Sequence, residues 1–144
     1  MSRVETALKI FDDGFYCSQS VVSAFCEDYG LRLEPGLKLS TLFGAGIVYT
    51  GETCGAVTGA LIILGLKYGK AEVDDLKENS PAFKKAGEFI EKFKSRNGTI
   101  ICKVLVGYDI NDSEKRQKAR EREIFKEVCP KLVQDTVEIL EEIL

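Results

Sequence analysis

Apolar residues recur three and four positions apart along most of the chain, which is helical spacing. Val4, Ala7, Leu8 and Phe11 share one face and predict a helix over Ser2–Asp13, closed by Gly14. Val21, Val22, Ala24 and Phe25 predict a second over Cys17–Tyr29, closed by Gly30. A loop over Leu31–Gly36 then leads to a short helical piece over Leu37–Phe43, and Gly44-Ala45-Gly46 makes a bend. Val48-Tyr49-Thr50 has strand composition but no partner run. Thr53–Tyr68 is apolar nearly all round, so it reads as a buried central helix with Thr53 as its N-cap.

Val73–Glu78 is read as a short helix. Ser80 as N-cap and Pro81 at the first helical position open a longer one to about Ser95, with Phe83, Ala86, Ile90 and Phe93 on one face. Thr99–Val106 mixes β-branched content with helical spacing. The lack of a partner strand favours a short helix that contains Cys102. Asp112-Ser113 caps a charged helix to about Val128, and Pro130 predicts a break at Cys129-Pro130. A last helix follows, with Leu132, Val133, Val137, Leu140 and Ile143 in its apolar stripe. The sum is one all-α domain over residues 1–144, with roughly six to eight helices around the buried central one.

Composition narrows the class. A chain of 144 residues with 44% hydrophobic and 30% charged content is long enough for one full core and ordinary for a soluble protein. A net charge of −3 gives no electrostatic case for nucleic acid or an anionic membrane. The longest apolar run, Ala56–Leu66, is too short to cross a bilayer, so no membrane insertion is expected. Met1-Ser2-Arg3 leads into an amphipathic stretch rather than a signal peptide, and a cytoplasmic location is the expectation. The terminal stripe either covers the core or makes a homodimer contact.

Five cysteines and no histidine exclude a haem-attachment motif, a mixed cysteine–histidine zinc site and a Cys–His catalytic pair. The odd count argues against a fully disulfide-bonded framework. Cys17, Cys54 and Cys129 fall near predicted helix N-termini, where the dipole favours a thiolate; Cys102 follows the Asn97-Gly98 turn. Cys26 lies nine positions after Cys17, about 180° round the same helix, and cannot share its site. No Cys-x-x-Cys is present, so any site is assembled by the fold. Metal binding, redox exchange and simple core packing are all open for these thiols.

Around Cys54, Gly51, Gly55 and Gly59 recur every fourth position, and Ala56 and Ala60 widen the bare ridge. Such a ridge admits another backbone or a bulky cofactor, which makes Gly51, Glu52, Gly55, Ala56 and Gly59 candidate cofactor contacts. Glu52 suits a helix start electrostatically, with a proton-acceptor role as the alternative. Tyr16 and Tyr68 read as half-buried packing residues, with pocket lining as the alternative.

The order Cys17, then Cys54-Gly55-Ala56-Val57-Thr58-Gly59, then Cys102, then Cys129 resembles the C_GCAxxG_C_C family. Here the central motif reads Cys-Gly-Ala-x-x-Gly, with the first two letters of the family's motif exchanged. Gly14-Phe15-Tyr16-Cys17-Ser18-Gln19-Ser20-Val21 and Leu64-Gly65-Leu66-Lys67-Tyr68-Gly69 also resemble family segments, so the likeness spans Ala7 to Cys129. Cys26 matches no family cysteine. The resemblance implies redox chemistry at Cys17, Cys54, Cys102 and Cys129, as an oxidoreductase or an electron-transfer protein. It further implies an unknown redox partner and a functional link to a transporter.

Three functions stand on this pattern. The first is a four-thiolate site for an iron–sulfur cluster, by analogy with other four-cysteine proteins, or for a single metal ion. The second is a thiol–disulfide module with Cys54 as the attacking thiolate. The third is a non-catalytic helical binding module with structural cysteines.

Overall fold

Gly55–Tyr68 forms a helix, α4, whose residues from Gly55 to Ala60 are all buried, and the other elements are arranged around it. The computed structural model describes residues 1–144. It is all-α: α1 (Arg3–Asp12), α2 (Cys17–Phe25), α3 (Leu33–Ser40), α4, α5 (Pro81–Asn97), α6 (Cys102–Val106), α7 (Ser113–Glu121) and α8 (Ile124–Ile143). No strand is present, and no helix is long and apolar enough to cross a membrane.

The closest helix pairing is α2 against α4, and the glycines explain it. A Cβ on Gly59 would lie 2.9 Å from the Ser18 carbonyl oxygen and 3.1 Å from Val21 Cβ. A Cβ on Gly55 would lie 3.1 Å from the Ser18 nitrogen. Close approach buries polar side chains of α2, and these are satisfied. The Ser18 hydroxyl donates to the Ser40 carbonyl at 2.7 Å, and Gln19 accepts from the Tyr16 N–H at 3.0 Å while donating to the Leu37 carbonyl at 3.1 Å. These bonds lock α3 and the start of α2 in place.

The main core joins Val21, Val22 and Phe25 of α2, Val57, Ile63 and Leu64 of α4, Phe89 and Phe93 of α5, and the inner face of α8. Leu132, Val133, Val137, Leu140 and Ile143 are all buried within one chain, so the terminal stripe covers the core. The α5 start is as expected, with Ser80 accepting from the Phe83 N–H and Pro81 first in the helix. Asp112 caps α7 by accepting from the Glu114 N–H at 2.9 Å.

Three local expectations are corrected. Leu31–Gly36 is not a loop throughout, because α3 begins at Leu33. Pro35 sits in its first turn, where a missing N–H costs nothing. Val73–Glu78 forms no α-helix: Val73 is 98% exposed, and a short helix without a packing face does not hold in water. Val48-Tyr49-Thr50, which has no partner run, lies in a turn.

The third correction matters most for the site. The chain does not break at Cys129-Pro130; it breaks at Glu123, and α8 runs through the proline. An interior proline costs about 3 kcal/mol. Burying a Leu, Ile or Val side chain stabilises by about 1.5–3 kcal/mol, and α8 buries several, so a continuous stripe wins. The break carries its own strain, since Glu123 has φ +55°. Left-handed geometry costs an L-residue about 1–2 kcal/mol, and glycine gives back up to about 1 kcal/mol through the unfolded chain. Glu123→Gly is therefore expected to stabilise the protein by about 0.5–1 kcal/mol in denaturant unfolding; a loss of stability would contradict this geometry.

Candidate functional site

Thr53 and Ile101 form an isolated antiparallel bridge. Its hydrogen bonds run from the Cys54 N–H to the Ile100 carbonyl at 2.7 Å and from the Cys102 N–H to the Glu52 carbonyl at 2.6 Å. This short pairing clamps the start of α6 to the start of α4. It also resolves the mixed character of Thr99–Val106: the β-branched first half is extended and bridged, and the helix begins at Cys102. Cys54 is itself the N-cap position of α4, in place of Thr53.

Cys17 opens α2, with Tyr16 at its N-cap. Cys129 lies inside α8 rather than at a helix start. Contributed by α2, the α4 N-cap, α6 and α8, the four cysteines line one cavity of about 580 Å³. Cys26 is outside it, buried in the main core beside Gly36, whose absent Cβ leaves 3.0 Å to the Cys26 sulfur. All five thiols are free.

The electrostatics reverse the expectation for Cys54. Burial pushes its thiol up to about 11, and the N–H groups of Ala56 and Val57 offset only part of that. A helix N-terminus is worth about 0.3–1 kcal/mol, less than one pKa unit, whereas desolvation moves buried groups by up to several units. Burial, and then the neighbouring Cys54 and Cys129, push Cys102 up to about 12. Cys17 and Cys129 line the same cavity, and each thiol bears on the ionisation of the other through a side-chain hydrogen bond. That hydrogen bond raises Cys17 well above its ordinary value, and burial adds to the rise. The same bond lowers Cys129 against the opposing effect of burial. The most readily ionised of the four thiols is thus Cys129, and not Cys54.

Of the candidate cofactor contacts, only Gly55 lines the cavity. Gly59 and Ala56 are buried between helices, so the ridge admits the α2 backbone and not a cofactor. Gly51 precedes the helix at φ +72° and packs on Lys103 and Ile110. Glu52 is exposed, with its carboxylate 3.8 Å from the Lys103 ammonium.

Residues that periodicity did not single out complete the cavity. Tyr49 and Arg120 line it alongside Tyr16. The two tyrosine hydroxyls are hydrogen-bonded to each other, and this bond, aided by burial, raises Tyr16. The Arg116 and Arg120 guanidinium carbons lie 5.2 and 5.5 Å from the Tyr49 ring centroid. Tyr49 reaches this place through a left-handed turn in which Ala45, Gly46, Ile47, Val48 and Tyr49 all have φ between 54° and 67°. Such a run costs each L-residue about 1–2 kcal/mol. It is held by the Thr50 hydroxyl, 2.7 Å from the Gly46 and Ile47 carbonyls, and by the Glu52 N–H donating to the Gly46 carbonyl at 2.9 Å. The only trace of this in the sequence is Gly44-Ala45-Gly46, because Gly44 leaves room for the Tyr16 ring.

Fold and site together define an all-helical protein built on a buried central helix, with four thiols lining one cavity beside its start. The chain belongs to the family described as "Putative redox-active protein (C_GCAxxG_C_C)", which matches residues 15–143 and takes in all four cavity cysteines. No curated protein and no solved structure matches the chain.

Proposed function

We propose that the cavity is a thiol redox centre in which Cys17 and Cys129 are the working pair. The observation that carries this reading is the convergence of four free thiols on one cavity, and the pair is chosen because the Cys17 thiol beside Cys129 makes Cys129 the easier of the two to ionise. Cys129 attacks an electron-poor sulfur of a partner disulfide, and the partner's second sulfur leaves as a thiol. Cys17 then gives up its proton and attacks the Cys129 sulfur of the mixed disulfide. A Cys17–Cys129 bond results, and the partner is released fully reduced. Cys54 and Cys102, protonated and clamped side by side, form a reserve pair for onward exchange. A reducing, cytoplasmic setting suits a dithiol that must return to its reduced form.

A second reading is favoured by the donor set itself, since four thiols on one cavity are the right number and type for an iron–sulfur cluster. No three Cys, Asp or Glu side chains converge closely enough to hold one metal ion, so a lone tetrahedral ion does not fit these positions. A cluster core spreads its thiolates wider than a single ion does, and Cys17, Cys54, Cys102 and Cys129 would be its ligands. When bound, it would supply one-electron transfer.

Anaerobic purification, followed by an absorption spectrum, iron and zinc analysis and thiol titration, separates the two. The first reading expects no stoichiometric metal and two thiols lost in a glutathione redox buffer, with a Cys17–Cys129 bond found by peptide mapping. Stoichiometric iron with visible charge-transfer bands, lost in Cys54→Ser, establishes the second. Five thiols unreactive until unfolding would end both.

A further inference from the structure

The cavity is larger than exchange among four cysteines requires. At about 580 Å³ it falls in the size range of small-molecule sites. Its walls carry five aromatic side chains, Phe11, Phe15, Tyr16, Tyr49 and Phe125. Rings of this kind enclose flat, apolar molecules by stacking and edge contacts.

Arg120 and Lys126 are the cationic lining residues, Asp12 is the one carboxylate, and the Tyr16 and Tyr49 hydroxyls are the neutral polar groups. Within the Tyr16–Tyr49 bond one hydroxyl hydrogen is used, and the other is free for an acceptor in the cavity. Arg120 adds its guanidinium at the same wall. On the same cavity lies the Cys17–Cys129 pair, a source of two electrons and two protons.

We infer that the cavity binds a quinone, a planar uncharged ring with two carbonyl acceptors, and places it against Cys17 and Cys129 for reduction. The inference rests on these two cysteines being the working dithiol. In the net step two S–H bonds break and one S–S bond forms. The two electrons and two protons go to the quinone, whose carbonyl oxygens become the hydroxyls of a hydroquinone. The hydroxyl pair and Arg120 hold a carbonyl oxygen as its negative charge develops.

The test titrates the fully reduced chain, without oxygen, with tetramethyl-1,4-benzoquinone, whose substituted ring offers no open position for thiol addition. One hydroquinone per chain, two thiols lost and saturable kinetics are expected. Phe15 is 36% exposed at the cavity wall, so Phe15→Asp places a charge there at little risk to the fold. It is expected to weaken quinone binding by about tenfold or more. Arg120→Gln, at an exposed position, is expected to lower the rate of reduction as well. Cys129→Ser is expected to bind quinone without reducing it. If the unmodified chain closes its disulfide in a glutathione buffer but reduces quinone without saturation, or not at all, the quinone site is wrong and the dithiol reading stands. If no disulfide closes in that buffer, the dithiol reading and the inference fall together.

Discussion

Replacing Cys129 by serine is expected to slow the fastest alkylation of the folded protein at pH 7 by about tenfold or more. Cys129 is held below its ordinary value by the Cys17 S–H, whereas burial keeps Cys54 at about 11 and Cys102 at about 12. A thiol of pKa 9 is ionised about a hundred times more at pH 7 than one of pKa 11. Its lower basicity makes each thiolate less nucleophilic, which gives back nearly tenfold over two units and leaves a net factor of about ten. Cys17 does not take over, because burial and the neighbouring Cys54 and Cys102 still hold it up once Cys129 is gone. The pH profile follows the same logic: reactivity rises through a midpoint below 9 in the unmodified chain and only above 9 in the variant. Iodoacetamide labelling with peptide mapping reads both. First labelling at Cys54 would mean that the helix terminus outweighs burial there.

Gly59→Leu is expected to destabilise the protein by about 3 kcal/mol, at the upper end of overpacking costs, and to lower its melting temperature by about 10 °C. What the added side chain meets first is the Ser18 carbonyl, 2.9 Å from the Cβ position, and backbone cannot rotate away as a side chain can. The strain falls on the α2–α4 contact, and α2 carries Cys17, so the Cys17–Cys129 pair is expected to loosen as well. Gly65→Ala is the contrast within the same helix. Nothing lies within 4 Å of its Cβ position, and the change is expected to stabilise by about 0.5–1 kcal/mol. Thermal unfolding of the two variants should move in opposite directions.

Much of the fold is legible in the chain because its signals are local. The faces of α1, α2 and α5 follow from apolar spacing, and the caps at Ser80 and Asp112 need only a few neighbouring residues. The cysteine pattern is legible for the same reason, as an order of residue types that a family shares. Where a local rule competes with burial, it fails. Pro130 signals a break, but the packed stripe of α8 on both sides of it is worth more than the proline costs. Thr53 and the helix start suggest an easily ionised Cys54, but the fold buries that sulfur.

The sequence by itself determined an all-helical chain built on an apolar central helix, and set Cys17, Cys54, Cys102 and Cys129 apart from Cys26. Tertiary structure alone decided that the glycine ridge receives the α2 backbone. It alone turned Tyr49 into the cavity through five left-handed residues and put the ionisable thiol at Cys129. The reason is one of range. Helical periodicity and capping are settled by residues a turn apart. Desolvation, thiol–thiol hydrogen bonding and cavity shape depend on groups brought together from Cys17 to Cys129, and no spacing along the chain encodes those distances.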